Sequence, residues 1–112
     1  MFLGLPSDHQ GGACEAITQV FALLGKRWNG LIIMTLLDGP ARFSEIVRRV
    51  PGVSDRMLSE RLSELAAAGL VHRQVDGGPP VNVGYRLTDK GEALRPALAE
   101  LDRWGRERLL GQ

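Results

Sequence analysis

The chain has 112 residues, of which 44% are apolar and 24% charged, and its formal net charge is +1. That length suits one domain with a core of its own rather than two, and so even a charge balance says little about partners. No apolar run reaches the roughly 18 residues of a membrane span, Met1 to Leu5 is too short for a secretory signal, and one cysteine excludes an internal disulfide framework. A cytoplasmic protein without a membrane partner is therefore expected. Cys14 and the distant His9 and His72 have no metal-ligand spacing, so neither a metal nor a cofactor is expected. Residues 26–75 carry eight basic and five acidic side chains, a mildly basic middle of the kind that a phosphate-facing surface has.

Residues 1–13 contain Gly, Pro and Ser and read as a flexible arm, and residues 14–112 as a single domain. Cys14, Ile17, Val20, Phe21 and Leu24 mark a first helix, which Gly25 stops. Asn29 is placed to cap a second helix, Gly30 to Leu37, apolar nearly all round and so expected at the centre of the domain. Asp38-Gly39-Pro40 is a turn, and Ala41-Arg42-Phe43 reads as a short strand. Ser44 is placed to cap a third helix through Val50, with Ile46, Val47 and Val50 facing inward.

Pro51-Gly52 then breaks to a helix that Ser54 can cap by accepting an N–H of the first turn. Leu58, Leu62 and Leu65 form one stripe of it. At about 100° per residue, the opposite face carries Arg56, Glu60 and Ser63, with Ser59 and Arg61 on its flanks. Gly69 suits its C-cap. Two short helices joined by a glycine-containing turn, the second polar outside, have the form of a helix-turn-helix.

Leu70 to Val75 has strand composition, and Val81, Val83, Tyr85 and Leu87 alternate on one face of a second strand. The pair predicts a β-hairpin with an Asp76-Gly77-Gly78-Pro79-Pro80 tip. Thr88 caps a final helix to about Leu110, kinked or divided at Pro96. Its stripe of Leu94, Leu98, Leu101 and Trp104 has little domain left to cover it. A homodimer interface is the simplest use for it, and the first helix could share in it.

Several ordered segments carry a resemblance. Gly25-Lys26-Arg27-Trp28, Leu37-Asp38-Gly39-Pro40, Arg42-Phe43-Ser44-Glu45-Ile46 and Val53 to Leu62 resemble the HxlR family of bacterial transcriptional regulators. So do Gly69-Leu70-Val71, Tyr85 to Gly91 and Trp104-Gly105, and the likeness runs from about Cys14 to Arg106. It implies a homodimeric winged helix-turn-helix that binds double-stranded DNA. The fold class is then mainly α with a small β-hairpin (α+β), flanked by N- and C-terminal dimerisation helices. The last of these spans about residues 88–110.

Physical roles follow for such a protein. The Ser54-capped helix would enter a major groove of a palindromic operator. Arg56 could reach a guanine edge, Ser59 a base or phosphate, and Glu60 a cytosine amino group. Arg61 is expected to turn to phosphate. Asn29 and Ser44 lie at helix N-termini, where free N–H groups favour phosphate, and Arg42, Arg48 and Arg49 could add backbone contacts. The hairpin tip has no basic residue, so wing contacts fall to Arg73 and Arg86.

Cys14 admits two readings. It shares a face with Ile17, Phe21 and Leu24, as a small core residue would. A helix start also favours thiolate, which the carboxylate of Glu15 opposes. Several members of the family resemble this chain in carrying an N-terminal cysteine that senses oxidants or electrophiles such as quinones, although a Pro follows that cysteine in the typical motif. Trp28 and Trp104 could line a small-ligand pocket near a dimer seam. A winged-helix module that binds another protein and never DNA is the competing class. An enzyme is not expected, because no nucleophile–base pair, phosphate-binding glycine loop or metal cluster is legible.

Overall fold

The structure, a computed structural model, describes residues 12–111. Up to residue 11, the arm expected over 1–13 lies outside the described residues. Helix α1, Gly12–Leu24, leads to α2, Asn29–Leu37. Strand β1, Ala41–Arg42, runs directly into α3, Phe43–Arg49, and the Pro51-Gly52 turn leads on to α4, Asp55–Ala67. Strands β2, Val71–Asp76, and β3, Asn82–Leu87, make the hairpin. The chain continues through α5, Asp89–Glu92, and α6, Arg95–Trp104, into a π-helical segment, Gly105–Leu110.

The sheet order is β1-β3-β2, antiparallel, with Ala41 opposite Tyr85 and Val71 opposite Leu87. Directly opposed residues share a face of a sheet. Ala41, Val71, Tyr85 and Leu87 are all buried and close one side of the core, while Arg42, His72, Gln74 and Arg86 fall on the outer face. Against that sheet pack Ile32, Ile33 and Leu36 of α2, Ile46 of α3, and Leu58, Leu62 and Leu65 of α4. The result is a winged helix-turn-helix. As expected, α2 is central, although Leu31 projects to the surface.

The α1–α2 corner differs from expectation. Trp28, with φ 82°, takes the cap position of α2, and Asn29 is the first helical residue. Asn29 is 0% exposed, and its Nδ2 donates to the Leu23 carbonyl at 2.9 Å. That carbonyl at the α1 end also accepts the Lys26 N–H at 3.4 Å, so the Asn29 side chain adds the shorter of its two bonds. Asn29 therefore holds the corner together and is too deep to meet a phosphate. At α3 the cap position belongs to Arg42, whose backbone N–H donates to Glu45 Oε1 at 2.7 Å. Ser44 sits inside the first turn rather than capping it. The final helix is divided as expected: Pro96 stands in the first turn of α6, where its missing N–H costs nothing.

Helix α4 is held at both ends. Ser54 is extended and its Oγ accepts the Met57 N–H at 3.0 Å. At the other end Gly69, with φ 80°, donates to Ala66 O at 3.0 Å while Leu70 N donates to Leu65 O at 2.9 Å. These paired bonds are the Schellman arrangement, which needs a left-handed residue and so favours glycine. Lys90 Nζ and Thr88 Oγ1, just beyond the wing, donate to the carbonyls of Ala68 and Gly69 at 2.9 and 2.6 Å. These two bonds tie the C-terminal end of α4 to the segment that follows the wing.

Candidate nucleic-acid interface

Buried Leu58, Leu62 and Leu65 fix the rotation of α4 and so decide which residues face out. Ser54, Ser59, Glu60 and Ser63 are exposed, and the Arg56 side chain is 89% exposed. Arg56 Nε lies 3.4 Å from Glu60 Oε2. A surface pair of this spacing is worth about 0.5 kcal/mol or less, so a base edge or phosphate can displace it. The outward face combines donors and an acceptor on a helix whose far side is anchored, which is the chemistry that major-groove readout needs.

Arg61 departs from its expected role. Its side chain is 14% exposed, with Nη2 3.2 Å from Glu64 Oε2 and 3.9 Å from Glu60 Oε1. A guanidinium shielded in this way and shared between two carboxylates is not offered to phosphate. Glu64 Oε2 also takes Lys26 Nζ at 3.1 Å. Neither Lys26 nor Glu64 was legible as part of the site, because their contact joins residues distant in sequence and neither belongs to a local pattern.

The sheet separates the two wing arginines. Arg73 opposes Tyr85 on the core-side face, whereas Arg86 opposes His72 on the outer face. Arg42 opposes Gly84 and so joins Arg86. These two line one open pocket of about 400 Å³ with Gln74, Glu45 and Asp76. Ser44 and Arg48 are exposed on α3, and Arg49 is engaged by Asp38 at 2.5 Å. The hairpin tip carries Asp76 and no basic residue, and exposed Val75 and Val81 flank it.

Away from this surface, α1 and α6 enclose an open apolar groove of about 910 Å³. Ile17, Val20, Phe21, Leu101 and Trp104 line it, with Phe21 64% and Trp104 53% exposed. Leu94 and Leu98, also expected at the interface, line the same groove; Leu98 is 7% exposed within its own chain and belongs to the core as well, with Leu94 packed against it. Trp28 is not among the groove residues. Its ring lies instead over Gly52, where an added Cβ would come 3.1 Å from Trp28 Cη2. Cys14, in the first turn of α1, is exposed and its carbonyl accepts the Thr18 hydroxyl at 2.6 Å. Among the described residues no single helix is long and apolar enough to cross a membrane.

Residues 23–111 match the HxlR-like helix-turn-helix family. The chain is 50% identical over 91 residues, 81% of each protein, to the HTH-type transcriptional regulator YodB of Bacillus subtilis. The reduced form of YodB is similar at a TM-score of 0.78 and 47% identity, over 87% of this chain and 95% of that one. Quinone-bound YodB is similar at 0.72 and 48%, over 82% and 97%. The redox regulator HypR in its reduced form is similar at 0.77 and 36%, over 80% and 89%. YodB is a transcriptional regulator and HypR a redox regulator. With its winged helix-turn-helix intact from the α1 end to the last helical turn, the chain belongs to the HxlR-like helix-turn-helix family of transcriptional regulators.

Proposed function

We propose that this regulator is a cytoplasmic homodimer that reads a palindromic DNA operator with α4 of each subunit. The outward face of α4, Arg56, Ser59 and Glu60 on a helix anchored by three buried leucines, carries the reading. Ser54 and Ser44, at the starts of α4 and α3, together with Arg42 and Arg86 on the outer face of the sheet, supply phosphate contacts. Arg73, on the other face, touches DNA only where the wing enters a groove. The groove between α1 and α6 supports a dimer, since a soluble monomer rarely leaves so continuous an apolar patch open. A second copy related by a dyad would bring Leu101 and Trp104 onto the partner and space the two α4 helices by about 34 Å, one turn of DNA.

Cys14 is the proposed point of response to electrophiles or oxidants. Its exposure at the start of α1 supports this, as does likeness to a regulator with a quinone-bound form. With a quinone, the thiolate adds to a ring carbon, a C–S bond forms, and protonation returns the ring to the hydroquinone. With diamide, two thiols lose two hydrogens to the reagent. A single cysteine must then pair with the partner subunit's copy or a small thiol.

An anisotropy titration against the protein's own upstream region tests the DNA reading. Saturable, salt-dependent binding is expected, weakened about 10- to 100-fold in Arg56→Ala, as the loss of one bidentate base contact implies. No binding to any genomic fragment at low salt would favour the protein-interaction module instead. Repeating the titration after quinone or diamide treatment, in wild type and Cys14→Ser, tests the response. Identical behaviour of the two proteins removes Cys14 from it.

A further inference from the structure

The segment Gly25-Lys26-Arg27-Trp28 joins α1 to α2, faces no DNA in the reading above, and yet touches both the turn before α4 and α4 itself near its C-terminal end. Ahead of α4, the Trp28 ring covers Gly52 in the turn, and the Arg27 guanidinium stacks 4.5 Å from the centre of that ring. Near its C-terminal end, Lys26 Nζ bonds Glu64 Oε2 at 3.1 Å. From Glu64 a chain of charges leads back along the helix. Arg61 Nη2 is 3.2 Å from Glu64 and 3.9 Å from Glu60, and Glu60 is 3.4 Å from Arg56.

Arg61, in the middle of this chain, is only 14% exposed and Glu64 is half-buried, so their charges are screened less than those of a fully exposed pair. It is also incompletely satisfied: Arg61 Nε and Glu64 Oε1 are buried with no hydrogen-bond partner. A carboxylate in that state depends on each of its remaining cations. If Lys26 is removed, Glu64 must turn wholly to Arg61. Arg61 then lets go of Glu60, and Glu60 is left to Arg56 or to a base.

We propose that Lys26, Glu64 and Arg61 are positioning residues of the reading head. Lys26 sets how Arg61 is divided between Glu64 and Glu60, and thereby sets the base preference of Arg56 and Glu60 without touching DNA. The inference rests on the reading that α4 meets base edges. It gives the Gly25–Trp28 segment a role in specificity as well as in packing.

The test uses a duplex pool with a randomised core, from which full-length wild type and variants select, with the bound fraction sequenced. Wild type is expected to enrich one dyad-related motif, and Arg56→Ala to flatten a position in each half. Lys26→Met should shift the base ratios at that position or its neighbour at least threefold, with the salt dependence of binding unchanged, and Lys26→Arg should restore them. Glu64→Gln should shift the same ratios in the opposite direction, because Arg61 released by Glu64 turns to Glu60, and it carries the comparison if Lys26→Met fails to fold. A uniform loss of affinity across all sequences, with the log–log salt slope lowered by about one, would make Lys26 a phosphate contact and overturn the proposal. An unchanged preference in Lys26→Met and Glu64→Gln, with Arg56→Ala still flattening a position, overturns the positioning role alone. An unchanged preference in Arg56→Ala overturns the base-reading role of α4 and this inference with it.

Discussion

Burial separates residues that look alike in the sequence. Arg56 and Arg61 both stand on the polar side of a leucine stripe, and Asn29 and Ser54 both stand where a helix begins. Arg56 stands out in solvent with only a surface pair to Glu60, whereas Arg61 is drawn into a shielded carboxylate pair. Ser54 caps its helix, whereas Asn29 is buried and reaches back to Leu23. Periodicity alone could not separate these pairs, because the deciding partner in each case comes from another element or another turn. Asn29→Ala is therefore expected to cost about 1–3 kcal/mol, as removal of a buried hydrogen-bonding partner does. Urea unfolding should record that loss, and DNA affinity per folded molecule should stay at the wild-type level. A fall in affinity at unchanged stability would return Asn29 to the phosphate surface.

Helix α4 was legible because every signal for it is local: Ser54 at the cap, leucines at helical spacing, and Gly69 at the exit. Strand β1, the hairpin and the division at Pro96 were legible for the same reason. The start of α2 was not. Its cap is a left-handed Trp28, a conformation that costs a non-glycine residue about 1–3 kcal/mol and persists only where surroundings hold it. Those surroundings include Gly52 from the turn before α4, which no local pattern announces. Two substitutions follow at this scale. Ser54→Ala should lower stability by about 1 kcal/mol through loss of the cap. Gly52→Ala should cost more than about 1 kcal/mol, because its φ of 91° is strained for alanine and the new Cβ would press on Trp28. Thermal unfolding of the two variants checks both, and a neutral Gly52→Ala would show that Trp28 does not bear on the turn.

At the scale of the molecule, the radius of gyration is 16.1 Å, against about 13 Å for a compact domain of this length. The excess fits a chain whose α1 and α6 frame an open groove instead of closing on a core. Leu98 and Leu94 line that groove as well as serving the chain's own core, so the most exposed apolar surface offered to the proposed second copy is that of Phe21, Leu101 and Trp104, and tryptophan is a common anchor of such interfaces. Sedimentation at micromolar concentration should give twice the 12.2 kDa chain mass, and Trp104→Glu should give the single mass with the fold retained. The proposed dimer would set the distance between two copies of α4. Chemical footprinting of the complex on its selected duplex therefore checks the dimer and α4 together. Two protected major-groove segments are expected, their centres one helical turn apart, with guanine N7 protection in each half lost in Arg56→Ala. A single protected segment, or guanine protection that survives Arg56→Ala, would contradict that reading.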